Sequence, residues 1–443
     1  MKKSGNANTA QLGRHYKVLC ERIGVRYSGT QGEQDAADYV EEKFRRYGLS
    51  NVHQHRFEFP NWDFSSGSLR LRRSGRWRRV TTARPAGYSH STPADGIRGR
   101  VVYLEGGSEM DFARDLRGKI GLLIGTLSLG DQAVKARLIE SKLAALIFVD
   151  ARAPHDWTVT TGFAPQWMDG FEIPVIGVSY FDASDIVKAL PAEAEIKIRA
   201  RTFPAMSQNI IGEVTGTTRP EEVIIVSGHH DSVWGVIGAN DNGSGVVFTL
   251  ELARLFAKRR PRRTIRFVSY GVEEKLSIGS YLYMRSLSAK QRKQVVLAVN
   301  ADACASLLGK DRLYVTGPAA LVKLVEQTWR SRRHPVAIET AVAPYSDHFP
   351  FNICGVPSIM ISRRNIFDSM IWELHSEHDN LDNISIPVLC RTIDTTAALL
   401  ERVATVERLP FAPQIPPKQM KEVRSSGRQL YHHPWSPATF RYP

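Results

Sequence analysis

The sequence lacks closely spaced cysteines. Its four, Cys20, Cys304, Cys354 and Cys390, stand far apart and form no C-x-x-C pair, which excludes a zinc ribbon and argues against a disulfide scaffold. Buried thiols are the expectation. No run of about 18 apolar residues is present to span a bilayer. The start, "MKKSGNANTAQLGRHYKVLC", is basic but has no apolar stretch of the kind an export signal needs, so a cytoplasmic protein is expected. No internal repeat is visible, so the chain is not an array of small units.

What is present is ordinary globular composition. With 443 residues, 42% hydrophobic and 23% charged, the chain can bury a large core in two or three domains, or in one α/β domain with an insertion. The formal charge of +14 raises nucleic acid or an anionic surface as partners. "SLRLRRSGRWRRV" concentrates six arginines between Arg70 and Arg79, yet it alternates around a Ser-Gly turn as the solvated face of a hairpin does. Charge alone supports only non-specific attraction, and no nucleic-acid motif accompanies it.

Helical spacing appears first in "GEQDAADYVEEKFRRYGL", where Ala36, Val40, Phe44 and Tyr47 share a face and Gly48 is placed to end the helix. "VHQHRFEF" reads as a strand. From about Trp62 to Phe203 the texture changes, which suggests an inserted domain. Inside it, the apolar runs "GKIGLLIG", "AALIFVD" and "IPVIGVS", with the helical "DQAVKARLIESKL" after the first, predict a small α/β module. From "SQNIIGEVTG" onward, "VIIVSG", "GVVFTLELARLFA", "TIRFVSYG", "VVLAVNAD" and "PSIMISR" alternate strand and helix patterns. The fold class expected is α/β, a mixed, mostly parallel sheet with helices on both faces. The segments are residues 8–61 and 204–408 for the main domain, 62–203 for the insertion, and 409–443 for a proline-rich tail that should form no long regular element.

Ionisable residues recur just after the strands. "VIIVSG" runs into His229 and Asp231, "TIRFVSYG" into Glu273 and Glu274, and "VVLAVNAD" ends at Asp302; "ELHSEHDNLDN" adds His375. In an open α/β sheet the carboxyl ends of neighbouring strands line one crevice. One carboxylate beyond a strand usually caps a helix, but several acids in one crevice repel strongly, and divalent cations are the simplest compensation. Mixed imidazole and carboxylate donors suit Zn²⁺ better than Mg²⁺ or Ca²⁺.

The blocks "SGHHDS", "GANDNGSG", "FVSYGVEEKLSIGSYLY", "NAD", "YSDHFPF" and "ELHSEHDNLDNI", in that order, resemble the co-catalytic di-zinc aminopeptidase family, which includes bacterial leucine aminopeptidases and, more distantly, glutamate carboxypeptidases. "IGVRYSGTQGEQDAADYV" is similar to that family's first helix, and the middle segment resembles the protease-associated domain inserted in many members. The resemblance implies two Zn²⁺ per chain, the first on His229 and Asp302, the second on Glu274 and His375, with Asp241 bridging. It implies a shared water of lowered pKa, with Glu273 as general base. Alternation places His229 and Asp231 on one side and His230 on the other, so Asp231 would fix the tautomer of His229. Gly238, Gly243 and Gly245 would let the backbone turn beside the metals, with Ser244 capping the next helix. Tyr345, Asp347 and His348 are expected near the substrate, and Asp379 in a supporting position.

The activity implied is removal of N-terminal residues from peptides by a zinc-dependent exopeptidase. A carboxypeptidase or dipeptidase of the same fold is the alternative; it would need a cationic clamp for the substrate carboxylate, for which Arg363 and Arg364 are candidates. A single-zinc glutaminyl cyclase and a non-catalytic receptor-like relative fit less well, because all six proposed positions hold chemically competent residues. Oligomeric state is not legible.

Overall fold

The computed structural model describes residues 6–125, 131–150, 155–158, 164–168, 170–364 and 373–431. The chain forms two compact units. The first comprises the chain up to Phe59 together with Met206–Arg428, and the second is built on Pro60–Ala205.

β1 (Ser50–Arg73), which begins in the first unit, pairs with β2 (Arg76–Val80) across the Ser74–Gly75 turn, Leu69 opposite Val80. β3 (Arg84–Pro85), β4 (Ile97–Tyr103), β5 (Ile120–Gly125), β6 (Ala145–Asp150), β7 (Val175–Val178) and β8 (Glu193–Val214) complete the second unit. Its strands lie in the order β8-β4-β5-β6-β7-β3, with the β1–β2 hairpin beside them. β4 to β7 are parallel neighbours. All six residues of β6 are buried, as a strand covered on both faces requires. The connecting helix Gln132–Ser141 starts at Asp131, whose side chain accepts from the backbone N–H of Ala133 and Val134.

The first unit opens with α1 (Thr9–Tyr16), a π-helix over Lys17–Ile23, and α2 (Gln31–Tyr47). Ala36, Val40 and Phe44 of α2 are fully buried in the main core, and Gly48 ends the helix in the left-handed conformation its sequence position suggested. There follow β9 (Arg219–His229), α3 (Gly243–Phe256), β10 (Arg263–Tyr270), β11 (Val295–Ala301), β12 (Lys310–Thr316), β13 (Ala337–Glu339), β14 (Ser358–Arg364) and α4 (Ile386–Ala404). The strand order is β13-β12-β14-β11-β9-β10-β8. The central β14, β11, β9 and β10 are parallel, β8 runs antiparallel to β10, and β12 runs antiparallel to β14 with β13 parallel beside it. The sheet is therefore mixed and mostly parallel, with its parallel carboxyl ends side by side.

The tail departs from expectation. Pro417–Tyr431 is a 15-residue helix, α5, and the chain as far as Arg428 belongs to the first unit. Prolines crowd positions 410–417 and return only at Pro434. Pro417 stands at the first helical position, where a missing N–H costs nothing, and the residues after it are free to wind. The aromatic segment beyond Tyr431 lies outside the described residues. No helix among the described residues is long and apolar enough to cross a membrane.

Candidate metal centre

Three adjacent parallel strands deliver the centre. β9 ends on His229, β11 is followed at once by Asp302, and the turn after β10 presents Glu273 and Glu274. The loop between β9 and α3 brings Asp241, and His375 arrives from the segment before α4. Asp241 reaches both histidines. Its Oδ1 lies 3.2 Å from His229 Nε2 and its Oδ2 lies 3.2 Å from His375 Nε2. Around His229 Nε2 also stand Glu273 Oε2 and Asp302 Oδ1, each at 3.6 Å, while Glu274 Oε2 is 3.2 Å from His375 Nε2. One donor atom each from His229, Asp241 and Glu274 falls within 4.8 Å of the others, as does one each from His229, Glu273 and Asp302.

His229, Asp241 and Asp302 are buried and Glu273, Glu274 and His375 half-buried, and their proton affinities show the strain of that crowding. Burial pushes the Glu273 carboxyl well above its usual range, opposed by His229 and reinforced by Asp302, Asp347 and Glu274. Glu274 is pushed up to about 7 by burial and by Asp241. Burial would lower His375, but Glu274 and Asp241 outweigh it and hold its proton up to about 10. His229 Nε2 is buried, yet makes no hydrogen bond of normal geometry, and neither does Glu274 Oε1. Converging imidazole and carboxylate donors, left without ordinary hydrogen bonds, fit divalent cations with nitrogen and oxygen ligands.

The supporting contacts are specific. Asp231 is fully buried and accepts from the backbone N–H of Glu273 (3.0 Å) and Glu274 (3.2 Å), and from the hydroxyl of Ser28 (2.9 Å). His229 Nδ1, on the side away from the centre, faces the backbone carbonyl of Asp231 at 3.2 Å and its Oδ1 at 3.4 Å. Asp231, through its carbonyl and its carboxylate, thus orients a histidine and two glutamates. Asp379 does the same for the loop, accepting from the N–H of Asn240 (2.6 Å) and of Asp241 (2.9 Å). His230 points to the opposite side, to Ser269 Oγ at 3.1 Å.

The loop itself needs two glycines. Gly238 has φ +64°, and a Cβ on Gly245 would stand 2.3 Å from the carbonyl oxygen of Ala301. The helix cap falls elsewhere than expected. Asn242, not Ser244, caps α3 by accepting from Gly245 N–H, while the Ser244 hydroxyl, inside the first turn, donates to the carbonyl of Asn240 at 2.7 Å. An amide at position 242 reaches the orphan N–H; a serine two residues later is already helical.

The segment "YSDHFPF" divides. Asp347 is fully buried, and burial lifts its carboxyl to about 8. Its oxygens make no hydrogen bond of normal geometry, although Ser280 stands beside it. Tyr345 is 46% exposed, and His348 is turned to the carbonyl of Ala343 at 2.9 Å. Arg363, a candidate carboxylate clamp, is buried and engaged with Asp311 and with the carbonyl of Gly309. Arg364 lies over the Tyr314 ring, its guanidinium carbon 5.8 Å from the centroid.

Two contributors were not singled out from sequence. Arg26, fully buried, donates to the carbonyls of His230 (2.7 Å), Ile237 (2.6 Å) and Gly238 (2.8 Å) and so clamps the metal loop. Ser277 Oγ donates to Glu273 Oε1 at 3.0 Å. The signal for Arg26 was an arginine within the family-like "IGVRYSGTQGE"; Ser277 follows Glu273 by the four-residue spacing of one helical turn.

Residues 209–400, which supply every member of the centre, match the sequence model of peptidase family M28. Over these residues the chain is similar to that metallopeptidase family. It is 28% identical over 420 residues to aminopeptidase YwaD of Bacillus subtilis, covering 91% of this chain and 86% of that one. It is also 28% identical over 287 residues to human carboxypeptidase Q, covering 60% of this chain and 59% of that one. Among solved structures, the zinc aminopeptidase BSAP from Bacillus subtilis superposes with a TM-score of 0.77 at 23% identity, covering 94% of this chain and 99% of that one. The proteins the chain is similar to are thus named for both ends of a peptide.

Proposed function

We propose that the protein is a di-zinc aminopeptidase. The observation that supports two metals is Asp241, whose oxygens face different histidines at equal distance and so divide the donors into two sets sharing one carboxylate. His229 and Asp302 would hold one zinc, Glu274 and His375 the other, and Asp241 both. Bound zinc supplies Lewis acidity and favours ionisation of water near neutral pH.

The chain's own residues supply the proton chemistry. Glu273 is anchored through Oε1 by Ser277, which leaves Oε2, on the His229 side, as the oxygen that takes a proton from the attacking water and returns it to the leaving amine. Its raised proton affinity suits an acceptor that must hold the proton between the two transfers. Asp231 keeps both glutamates in place through their backbone N–H groups. The second unit contributes none of these side chains, and we read it as the inserted, protease-associated-like module.

The choice of substrate end rests on charge. An acidic, buried cluster suits a substrate ammonium, and Arg363, which a carboxypeptidase reading would recruit as a clamp, is already committed to Asp311. The test uses one peptide in three forms, together with metal analysis of the loaded enzyme. N-acetylation is expected to abolish cleavage, C-terminal amidation to leave it nearly unchanged, and saturated zinc to approach two per chain. Cleavage of the acetylated form with loss on the amide would assign a carboxypeptidase, and saturation at one zinc would remove the bridging role of Asp241.

A further inference from the structure

The first unit has a second concave site. A cleft of about 900 Å³ is lined by side chains of α1, the π-helix, α2 and the last turn of α3. α3 starts beside the acidic centre at Gly243 and reaches the cleft with Arg254, roughly 16 Å further along a helix rising 1.5 Å per residue. The cleft is therefore separate from the peptidase centre.

Behind its wall lies His15, fully buried, with both ring nitrogens engaged. Arg14 Nη2 donates to Gln11 Oε1 at 2.5 Å, which fixes the amide orientation. Gln11 Nε2 can then only donate, and it faces His15 Nε2 at 2.9 Å. The hydroxyl of Tyr47 approaches the same nitrogen at 3.2 Å. Nε2 is therefore the acceptor, and the single ring proton sits on Nδ1, where it is donated to the Tyr39 hydroxyl at 2.7 Å. Burial first, then Lys43, Arg14 and Arg254, push His15 down to about 4, in keeping with this neutral form. Tyr39, which lines the cleft, thus accepts from the imidazole and keeps a proton to give. Among the described residues no acceptor for it is present.

The charges around this hydroxyl do not cancel. Glu42 is paired with Lys43 at 2.8 Å, and Arg254 is held by two bonds to Glu251 at 2.7 and 2.8 Å. Asp35 and Asp38, also lining the cleft, accept from the neutral amides of Gln31 (2.7 Å) and Gln34 (2.8 Å) and keep their negative charge. Arg14 has only neutral Gln11. Arg22 and Arg46, also lining the cleft, make no ion pair or hydrogen bond among the described residues. Arg22 projects from the π-helix, a wide turn that is rare in proteins and tends to occur where function holds it. Arg14, Arg22 and Arg46 against Asp35 and Asp38 leave one positive charge in excess, in the same cavity as a hydroxyl proton without an acceptor.

We propose that this cleft binds a phosphate group, as the free ion or as a monoester. Guanidinium forks match phosphate oxygens, an anion answers the excess of positive charge, and the Tyr39 proton supplies a directed donor. The experiment is calorimetric titration of the metal-loaded protein at constant ionic strength with inorganic phosphate and with phenyl phosphate. Saturable binding is expected, weakened about tenfold or more in the Arg22→Ala/Arg46→Ala protein and less in Tyr39→Phe, as for loss of one or two charge-assisted hydrogen bonds. The exposed Arg117→Ala serves as control and should bind like wild type. Melting without phosphate checks that the variants are folded, and Arg22→Lys/Arg46→Lys should restore part of the affinity. Tighter binding of phenyl phosphate would indicate an organic monoester as the source; equal binding would indicate the free ion. Binding that is absent, or equal in wild type and all cleft variants, as for phosphate seated only on the metals, overturns the proposal.

Discussion

Two buried charged clusters sit in the first unit, and they are balanced in opposite ways. Asp311, 4% exposed, is enclosed by Arg363, His334 and Arg391. Against the pull of burial, His334 and Arg363 hold its carboxyl below the usual range. His334 is in turn fixed by Thr395 Oγ1 at 2.9 Å. Positive and negative charge therefore meet within the protein, and nothing further is required. At the end of β9, by contrast, Asp231, Asp241, Glu273, Glu274 and Asp302 find two histidines and a few backbone N–H groups. Burial then drives Glu273 and Glu274 toward neutrality. A charged cluster that closes on itself is structural; one with carboxylates in excess is prepared for cations from outside.

The sharpest way to test that difference is to alter charge in each cluster. Glu273→Gln removes the proton acceptor while leaving His229, Asp241, Glu274, Asp302 and His375 untouched. Zinc content should stay near the wild-type level, and kcat should fall by roughly 10²–10⁴, the range for loss of general acid–base assistance. A variant that keeps near-normal turnover would exclude Glu273 from the chemistry, and one that loses its zinc would make Glu273 a ligand.

Asp311→Asn is the matching change in the closed cluster. It leaves Arg363 buried without its counter-charge, for which a loss of about 3–5 kcal/mol in unfolding free energy is the expected order. Zinc content and kcat/KM of the folded fraction should remain near wild type, because Asp311 touches none of the donors. Denaturant melts together with steady-state kinetics separate the two effects. A large fall in turnover without a stability loss would erase the distinction drawn between the clusters.

Much of this was legible in the chain. The strand ends at His229, Asp302 and the Glu273–Glu274 turn could be found because parallel strands buried on both faces read as apolar runs, and the first polar residue beyond each run marks the crevice. The arginine-rich hairpin was legible for the complementary reason: its alternation puts Leu69 and Leu71 inward and Arg70 and Arg72 outward. The composition change near Trp62 and Phe203 falls within two residues of where the chain passes between Pro60–Ala205 and the first unit. What stayed hidden depends on contacts made at long range. Arg26 meets the metal loop more than 200 residues away, and no local pattern distinguishes it from a surface arginine. Asn242 and Ser244 compete for one cap, and only the backbone path decides between them. Helix α5 was concealed by reading proline density over the whole tail, although the residues after Pro417 hold no proline until Pro434.

A third buried arrangement extends the comparison to a group kept neutral without any ion pair. His15 is enclosed by Gln11, Tyr39 and Tyr47, and burial with the surrounding cations depresses its pKa from 6.5 to about 4. In the unfolded chain the ring binds a proton below about pH 6.5, whereas the folded protein refuses it until about pH 4. Between those values the unfolded state holds more protons, so stability rises with pH across the window. The contribution is complete above pH 6.5, is lost as pH falls toward 4, and is constant below that. Its upper size is about 3 kcal/mol, the free-energy equivalent of a depression of that order. Other groups titrate over the same range, so the quantity to measure is the difference between wild type and His15→Gln, by denaturant unfolding of the zinc-loaded proteins at several pH values. Wild type should lose stability relative to the variant as pH falls from 6.5 to 4. Parallel curves would show that His15 takes up its proton in the folded state as readily as in the unfolded one, and would remove the fixed tautomer on which the donor chain to Tyr39 depends.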